Sequence, residues 1–92
     1  MNQEQIESML IEVVCEIQKI SGRPIVDVTA DTKPVVDMPG FDSLNGVEST
    51  IEVSGRINKD VPFNNVFVDD KKALTIRQAS VRLLSFINGK KH

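Results

Sequence analysis

A single stretch, Gly40-Phe41-Asp42-Ser43-Leu44, joins a loop rich in proline and aspartate to a segment with helical periodicity. Asp42 suits the position just before a helix, because its carboxylate can accept hydrogen bonds from the free N–H groups of the first turn. Ser43 then stands at the helix start, with an acid before it and an apolar residue after it. This placement predicts an exposed hydroxyl that is poorly equipped for catalysis and well placed for modification by another enzyme.

The pattern on both sides of this stretch predicts an all-α fold, a small four-helix bundle with three long helices, one short third helix and a long first loop. Apolar residues recur every three or four positions over about 3–20 and about 76–88, which predicts the first and last helices. The second helix is predicted over about 43–57 and the first loop over 21–42. Residues 58–74 are expected to form an irregular segment or the short helix. The first loop should be pinned by some of its apolar residues, namely Val35, Val36, Met38 and Phe41.

The second helix carries two apolar stripes, because successive residues are rotated by about 100° around a helix. One stripe contains Leu44 and Ile51, flanked by the acids Glu48 and Glu52. Aliphatic side chains among acids beside Ser43 predict a partner-binding surface. The other stripe is predicted to pack in the core and comprises Val47, Thr50, Val53 and Ile57.

Composition indicates one small soluble domain over residues 1–92. The chain has a single cysteine, no apolar run long enough to span a membrane and no secretory signal at its amino terminus. A cytoplasmic monomer is therefore expected. The net charge of −2 divides into −7 for residues 1–55 and +5 for residues 56–92. This asymmetry fits either a partner that contacts one side of the domain or solvated faces that happen to differ in charge. The acidic balance and the lack of interleaved aromatic and basic residues argue against nucleic-acid binding.

This arrangement resembles the acyl carrier protein family and the related peptidyl carrier domains. The resemblance rests on Asp42-Ser43-Leu44 at the start of the second helix, and the order and lengths of the helices extend it over nearly the whole chain. Further matching positions are Val47-Glu48, Ile51, Ile57, Val61-Pro62, Thr75 and Phe86-Ile87-Asn88-Gly89.

The resemblance implies a 4′-phosphopantetheine arm attached to Ser43. A phosphopantetheinyl transferase would install the arm from coenzyme A with Mg²⁺, which is needed only in that reaction, and Asp42 would help to position the metal. The carrier itself catalyses nothing, holds acyl intermediates as thioesters on the arm, and delivers them to acyl-activating, synthase or acyltransferase enzymes. The recognition face would comprise Leu44, Glu48, Ile51 and Glu52.

The chain also departs from the family pattern. The second helix is less acidic than usual, and residues 62–75 form a longer segment than usual. These departures favour a specialised carrier that serves one lipid, polyketide or related biosynthetic pathway over a carrier for general fatty-acid synthesis. The departing positions in and after the second helix are Asn45, Ser54, Gly55, Arg56 and Lys59.

Other interpretations of the same residues are weaker. A serine nucleophile needs a base, and the only histidine is His92 at the terminus, so a hydrolase is disfavoured. Ser43 is alternatively a plain helix cap.

Cys15 lies opposite the apolar stripe of the first helix beside two acids, which indicates an incidental surface thiol. The acidic residues are scattered and have no histidine or cysteine residues near them that could complete a set of ligands, so no metal site is predicted. The remaining alternative is an unmodified helical interaction module that docks through the Leu44 and Ile51 face.

Overall fold

The structure is a computed structural model that describes residues 1–89, and within that range it contains four helices and one small hairpin. Helix α1 (Gln3–Ile20) packs against both of the other long helices, α3 (Ser43–Ile57) and α4 (Ile76–Ile87). The three long helices therefore form where the hydrophobic periodicity predicts them. The elements in chain order are α1 (Gln3–Ile20), α2 (Pro34–Asp37), α3 (Ser43–Ile57), β1 (Val68–Asp69), β2 (Lys72–Ala73) and α4 (Ile76–Ile87).

The prediction of a small helical fold is confirmed, whereas the prediction of a strictly all-α fold is wrong because residues 58–74 contain the hairpin. Residues 90–92, and with them His92, lie outside the described part of the chain. No helix in residues 1–89 combines the length and the apolar character that a membrane crossing demands.

Each long helix begins with a capping box. The side chain of the capping residue, just before the helix, accepts a hydrogen bond from the backbone N–H three residues later. The side chain of that later residue in turn accepts a hydrogen bond from the backbone N–H of the capping residue. Local hydrogen bonds therefore fix the helix starts, including the start of α3. The three pairs are Asn2 with Gln5, Asp42 with Asn45, and Thr75 with Gln78.

The short helix lies in the first loop and not in the segment where the sequence predicts it. Helix α2 begins at Pro34, whose fixed φ suits the first position of a helix and whose missing N–H is not needed there. Met38 and Phe41 follow it and are each 3% exposed, so they anchor the loop as predicted. Val36, another predicted anchor, is 66% exposed.

The segment between α3 and α4 forms a β-hairpin. Strands β1 and β2 pair antiparallel, with Val68 opposite Ala73. The two turn residues, Asp70 and Lys71, both have positive φ, as the tight type I′ hairpin turn requires. Phe67, just before β1, is fully buried and fixes this segment to the body of the protein.

The core is formed between the three long helices and closed by residues from the two connecting segments. The rings of Phe41 and Phe67 meet edge to face, with their centroids 6.2 Å apart. One aromatic residue from each connection therefore closes the core beside the start of α3. The fully buried helix residues in the core are Ile6, Leu10, Val13, Val14, Val53, Ile76, Ala79 and Leu83.

Candidate functional site

Ser43 is the first residue of α3, and its side chain is exposed, as the sequence predicts. The capping residue is Asp42, whose Oδ1 accepts hydrogen bonds from the backbone N–H groups of Leu44 at 3.0 Å and Asn45 at 3.2 Å. The interpretation of Ser43 as a plain cap is therefore wrong. Its hydroxyl is displayed on the surface at a helix start that Asp42 already stabilises.

A polar network lies behind the start of α3. The side-chain oxygen of Asn45 accepts hydrogen bonds from the Asp42 N–H at 3.1 Å and from Nη1 of Arg23 at 2.8 Å. Gln18, fully buried in α1, accepts from the same Arg23 nitrogen at 3.3 Å and donates to the Pro39 carbonyl at 2.9 Å. The network ties the end of the first loop and the start of α3 to helix α1.

Gly40 allows this network to form. Its φ is +73°, and a Cβ added there would lie 2.7 Å from Cδ of Arg23. A larger residue would therefore have both a strained backbone and a clash with the arginine. No sequence pattern predicted that Gln18 or Arg23 contributes to the site. The signal for Gln18 is its position four residues after Val14, which puts a polar side chain on the buried face of α1.

A second contact supports the start of α3 from the segment that precedes the hairpin. Nδ2 of Asn65 donates to the backbone carbonyl of Ser43 at 3.0 Å, and Oδ1 of Asn65 accepts from the Phe67 N–H at 3.0 Å. No sequence pattern predicted a role for Asn65. The structure therefore brings residues from the unassigned segment 58–74 directly against the candidate modification site.

The exposed face of α3 carries an apolar stripe. Leu44 is 71% exposed and Ile51 is 69% exposed, as predicted for a partner-binding surface. The prediction that Val47 packs in the core is wrong, because Val47 is 36% exposed and extends this stripe. The core-facing side of the helix is instead made largely of small and polar residues, namely Asn45, Gly46, Ser49, Thr50 and Val53.

The acids on α3 differ in what surrounds them. Glu48 accepts a hydrogen bond from Nδ2 of Asn45 at 2.6 Å and remains exposed beside the apolar stripe. Glu52 forms an ion pair with Nε of Arg56, one turn further along the helix, at 3.0 Å. Of the two acids predicted to meet a partner, Glu48 therefore presents its charge with no cation paired to it in residues 1–89, while the charge of Glu52 is partly compensated.

Arg56 also links α3 to α1. Its Nη1 lies 2.9 Å from Glu12 and its Nη2 lies 2.8 Å from Glu16. Hydrogen bonds with the carboxylates, that of Glu12 first, raise the pKa of the Arg56 guanidinium above its usual value. Arg56 thus brings three acids into one cluster and partly compensates the negative charge of Glu52 in the second half of α3.

The other candidate chemistry is not organised into a site. Cys15 is half-buried, and burial raises the pKa of its thiol, which disfavours the reactive thiolate. Residues 1–89 contain no group of three or more histidine, cysteine or acidic side chains arranged to hold a metal ion.

Comparison with protein-family models, with curated proteins and with solved structures finds no match to this chain.

Proposed function

We propose that this chain is a specialised carrier protein that holds acyl intermediates as thioesters on a 4′-phosphopantetheine arm attached to Ser43. The observation that carries the proposal is the exposed Ser43 hydroxyl at the first position of α3, directly after the capping carboxylate of Asp42 and beside the apolar stripe. A serine displayed in this way is accessible to a modifying enzyme.

The modification is a substitution at phosphorus. Oγ of Ser43 would attack the phosphorus that bears pantetheine in the pyrophosphate of coenzyme A. A phosphodiester bond to Ser43 forms, the bond to the other phosphate breaks, and adenosine 3′,5′-bisphosphate leaves. The hydroxyl proton passes to a base of the transferase or to solvent. Mg²⁺, held in the transferase complex with help from Asp42, would offset the negative charge that gathers on the phosphates.

The residues at the start of α3 fit an attached phosphodiester. Aligned peptide dipoles in a helix favour an anion at its amino end. The carboxylate of Asp42 opposes that anion by like charge, but both groups lie at the surface, where water and salt screen the repulsion. When bound, the arm supplies the thiol that carries the acyl group, and the chain itself supplies the anchor and the docking surface.

Partner enzymes would dock on the exposed face of α3. The stripe of Leu44, Val47 and Ile51 offers apolar contact area, and Glu48 offers an exposed negative charge at its edge. A partner with a basic rim around an apolar patch would match this surface. Because Arg56 engages Glu52, the second half of α3 attracts such a partner less strongly. This difference supports a dedicated set of partners for this carrier.

Mass spectrometry tests the proposal. The purified chain is incubated with a phosphopantetheinyl transferase of broad specificity, coenzyme A and Mg²⁺, and its intact mass is measured before and after. The expected result is a gain of one phosphopantetheine group, which peptide fragmentation places on Ser43. An unchanged mass, with a known carrier fully modified in the same mixture, would overturn the proposal.

The exposed apolar stripe also supports a second candidate, an unmodified interaction module that uses the Leu44 and Ile51 face. The mass measurement separates the two, because the module would gain no phosphopantetheine. Leu44→Ser together with Ile51→Ser would then weaken binding of the module to its partner, and neither the wild type nor this variant would gain mass in the transferase mixture.

Charge reversal at Glu48 provides a prediction about docking. Glu48→Lys is expected to raise the KM of the transferase for the carrier by up to about fivefold at low salt, the equivalent of one exposed ion pair of about 1 kcal/mol. The increase should shrink as salt is added, since salt screens exposed charges. Steady-state kinetics at two salt concentrations measure both effects.

Glu48→Gln is the matched control for that substitution. It removes the charge but keeps a side-chain oxygen that can accept the hydrogen bond from Asn45, so it should produce a smaller increase in KM and leave the free energy of unfolding unchanged. A KM that is the same for the wild type and both variants would show that Glu48 lies outside the docking surface.

A further inference from the structure

We propose that Asn65 is a positioning residue for the modification of Ser43, and this inference rests on the proposed carrier function. Asn65 lies 22 residues beyond Ser43 in the chain, in the segment that leads into the hairpin, and its side chain donates directly to the Ser43 carbonyl at 3.0 Å. The segment whose length departs from the carrier pattern therefore orients the residue that receives the arm.

Asn65 and Asp42 support different peptide units at the start of α3. Asp42 bonds to the next two residues, Leu44 and Asn45, and not to Ser43. The hydrogen bond from Asn65 to the Ser43 carbonyl restrains the peptide unit that follows the serine, and with it the position of the Cα–Cβ bond from which the hydroxyl projects.

The absence of a side chain at Gly46 independently supports the contact between Asn65 and Ser43. A Cβ added at Gly46 would lie 2.3 Å from Oδ1 and 2.5 Å from Nδ2 of Asn65. The amide group of Asn65 thus occupies space above the first turn of α3 that only a glycine leaves free. Any larger residue at this position would force the amide away from Ser43.

The amide is itself held from the other side. The Phe67 N–H donates to Oδ1 of Asn65 at 3.0 Å, so Nδ2 is left to face Ser43. Nη1 of Arg82, from α4, donates to the backbone carbonyl of Asn65 at 2.8 Å, and its guanidinium stacks over the Phe63 ring at 3.9 Å. Helix α4 and the pre-hairpin segment therefore fix Asn65, and Asn65 in turn fixes Ser43.

The test compares two variants in the transferase reaction. Asn65→Asp removes the donor to Ser43 but keeps an oxygen that accepts from the Phe67 N–H. Ser54→Ala removes a hydrogen bond between α3 and the same connecting segment, from the Val61 N–H to Ser54 at 3.2 Å, which involves neither Ser43 nor Asn65. Ser54→Ala is therefore the control for a general weakening of the contact between α3 and this segment.

Asn65→Asp is expected to lower kcat for phosphopantetheine transfer by about tenfold with KM changed less than about twofold, because a misplaced nucleophile slows the chemical step while the docking face is intact. Ser54→Ala should leave kcat unchanged. Loss of folded protein alone would instead raise the apparent KM, because fewer carriers could dock. Gly46→Ala should lower kcat as Asn65→Asp does, and the two changes together should lower it no further.

The carbonyl carbon resonance of Ser43, observed by NMR in the unmodified chain, gives a readout that does not depend on loading. The resonance should shift in Asn65→Asp and stay in place in Ser54→Ala. An unmoved resonance, or equal kcat for the wild type and Asn65→Asp, would overturn the inference. A shifted resonance in a chain whose wild type accepts no phosphopantetheine would instead overturn the carrier proposal, and with it any role of the contact in transfer.

Discussion

Replacing Ser43 with alanine is expected to abolish phosphopantetheine loading completely while leaving the fold intact. Loading requires one specific nucleophilic oxygen, and the neighbouring hydroxyl groups of α3, on Ser49 and Thr50, are buried and donate to backbone carbonyls one turn earlier, each at 2.8 Å. Because Asp42 caps the helix, removal of the exposed Ser43 hydroxyl should change the free energy of unfolding by less than about 0.5 kcal/mol. Intact mass and urea denaturation measure the two effects.

Ser21→Ala is the matched control for this variant. Ser21 is exposed at the carboxyl end of α1, where its backbone rather than its side chain completes the helix. This variant should accept phosphopantetheine at the wild-type rate. Substantial loading of Ser43→Ala would place the attachment site on another residue. A large loss of stability would show that the Ser43 hydroxyl belongs to the structural framework of α3.

The long helices were predictable because local sequence determines them. Each has apolar residues at helical spacing and a capping pair three residues apart, so the bounds of α1 and α3 agree with the predictions and α4 ends one residue earlier than expected, at Ile87. The exposure of Ser43, Leu44 and Ile51 was predictable from their positions at the start of α3 and around its axis. Val47 was misplaced because the core-facing side of α3 consists mainly of polar and small residues, which hydrophobic periodicity does not register.

The hairpin and the short helix were not predictable by the same means. The hairpin strands contain two residues each, too few to show alternation, and the turn residues Asp70 and Lys71 lack the glycine that usually marks a type I′ turn. Helix α2 has four residues, which is little more than one turn. Tertiary packing, rather than local propensity, holds both elements in place.

The contacts that hold the candidate site in place could not be predicted from the sequence either. Arg23 meets Asn45 across 22 residues of chain, and Asn65 meets Ser43 across the same separation. Such pairs depend on how the segments before and after α3 fold back onto this helix, and no short sequence motif predicts them. The candidate modification site could be proposed from the sequence because the cap, Asp42, and the serine at the helix start, Ser43, are consecutive.

Phe67→Ala is expected to lower the free energy of unfolding by about 3–5 kcal/mol, the range for truncation of a buried phenylalanine. The Phe67 side chain is fully buried in the core and meets the ring of Phe41 edge to face. Its removal would leave a cavity where the pre-hairpin segment closes over the long helices. A domain of this size is stable by about 5–15 kcal/mol, so the variant should lose a large part of its stability in urea denaturation.

Phe86→Ala is the matched control, because it removes the same ring from a less buried position near the end of α4. Nζ of Lys59 lies over the Phe86 ring at 6.0 Å. Phe86→Ala should lower the free energy of unfolding by about 1 kcal/mol. Phe67→Leu, which keeps most of the apolar volume, should cost less than about 1.5 kcal/mol. If Phe67→Ala were no more destabilising than Phe86→Ala, residues 63–67 would not pack against the core as described. The contact between Asn65 and Ser43 would then lose its physical basis, because Phe67 fixes the segment that carries Asn65.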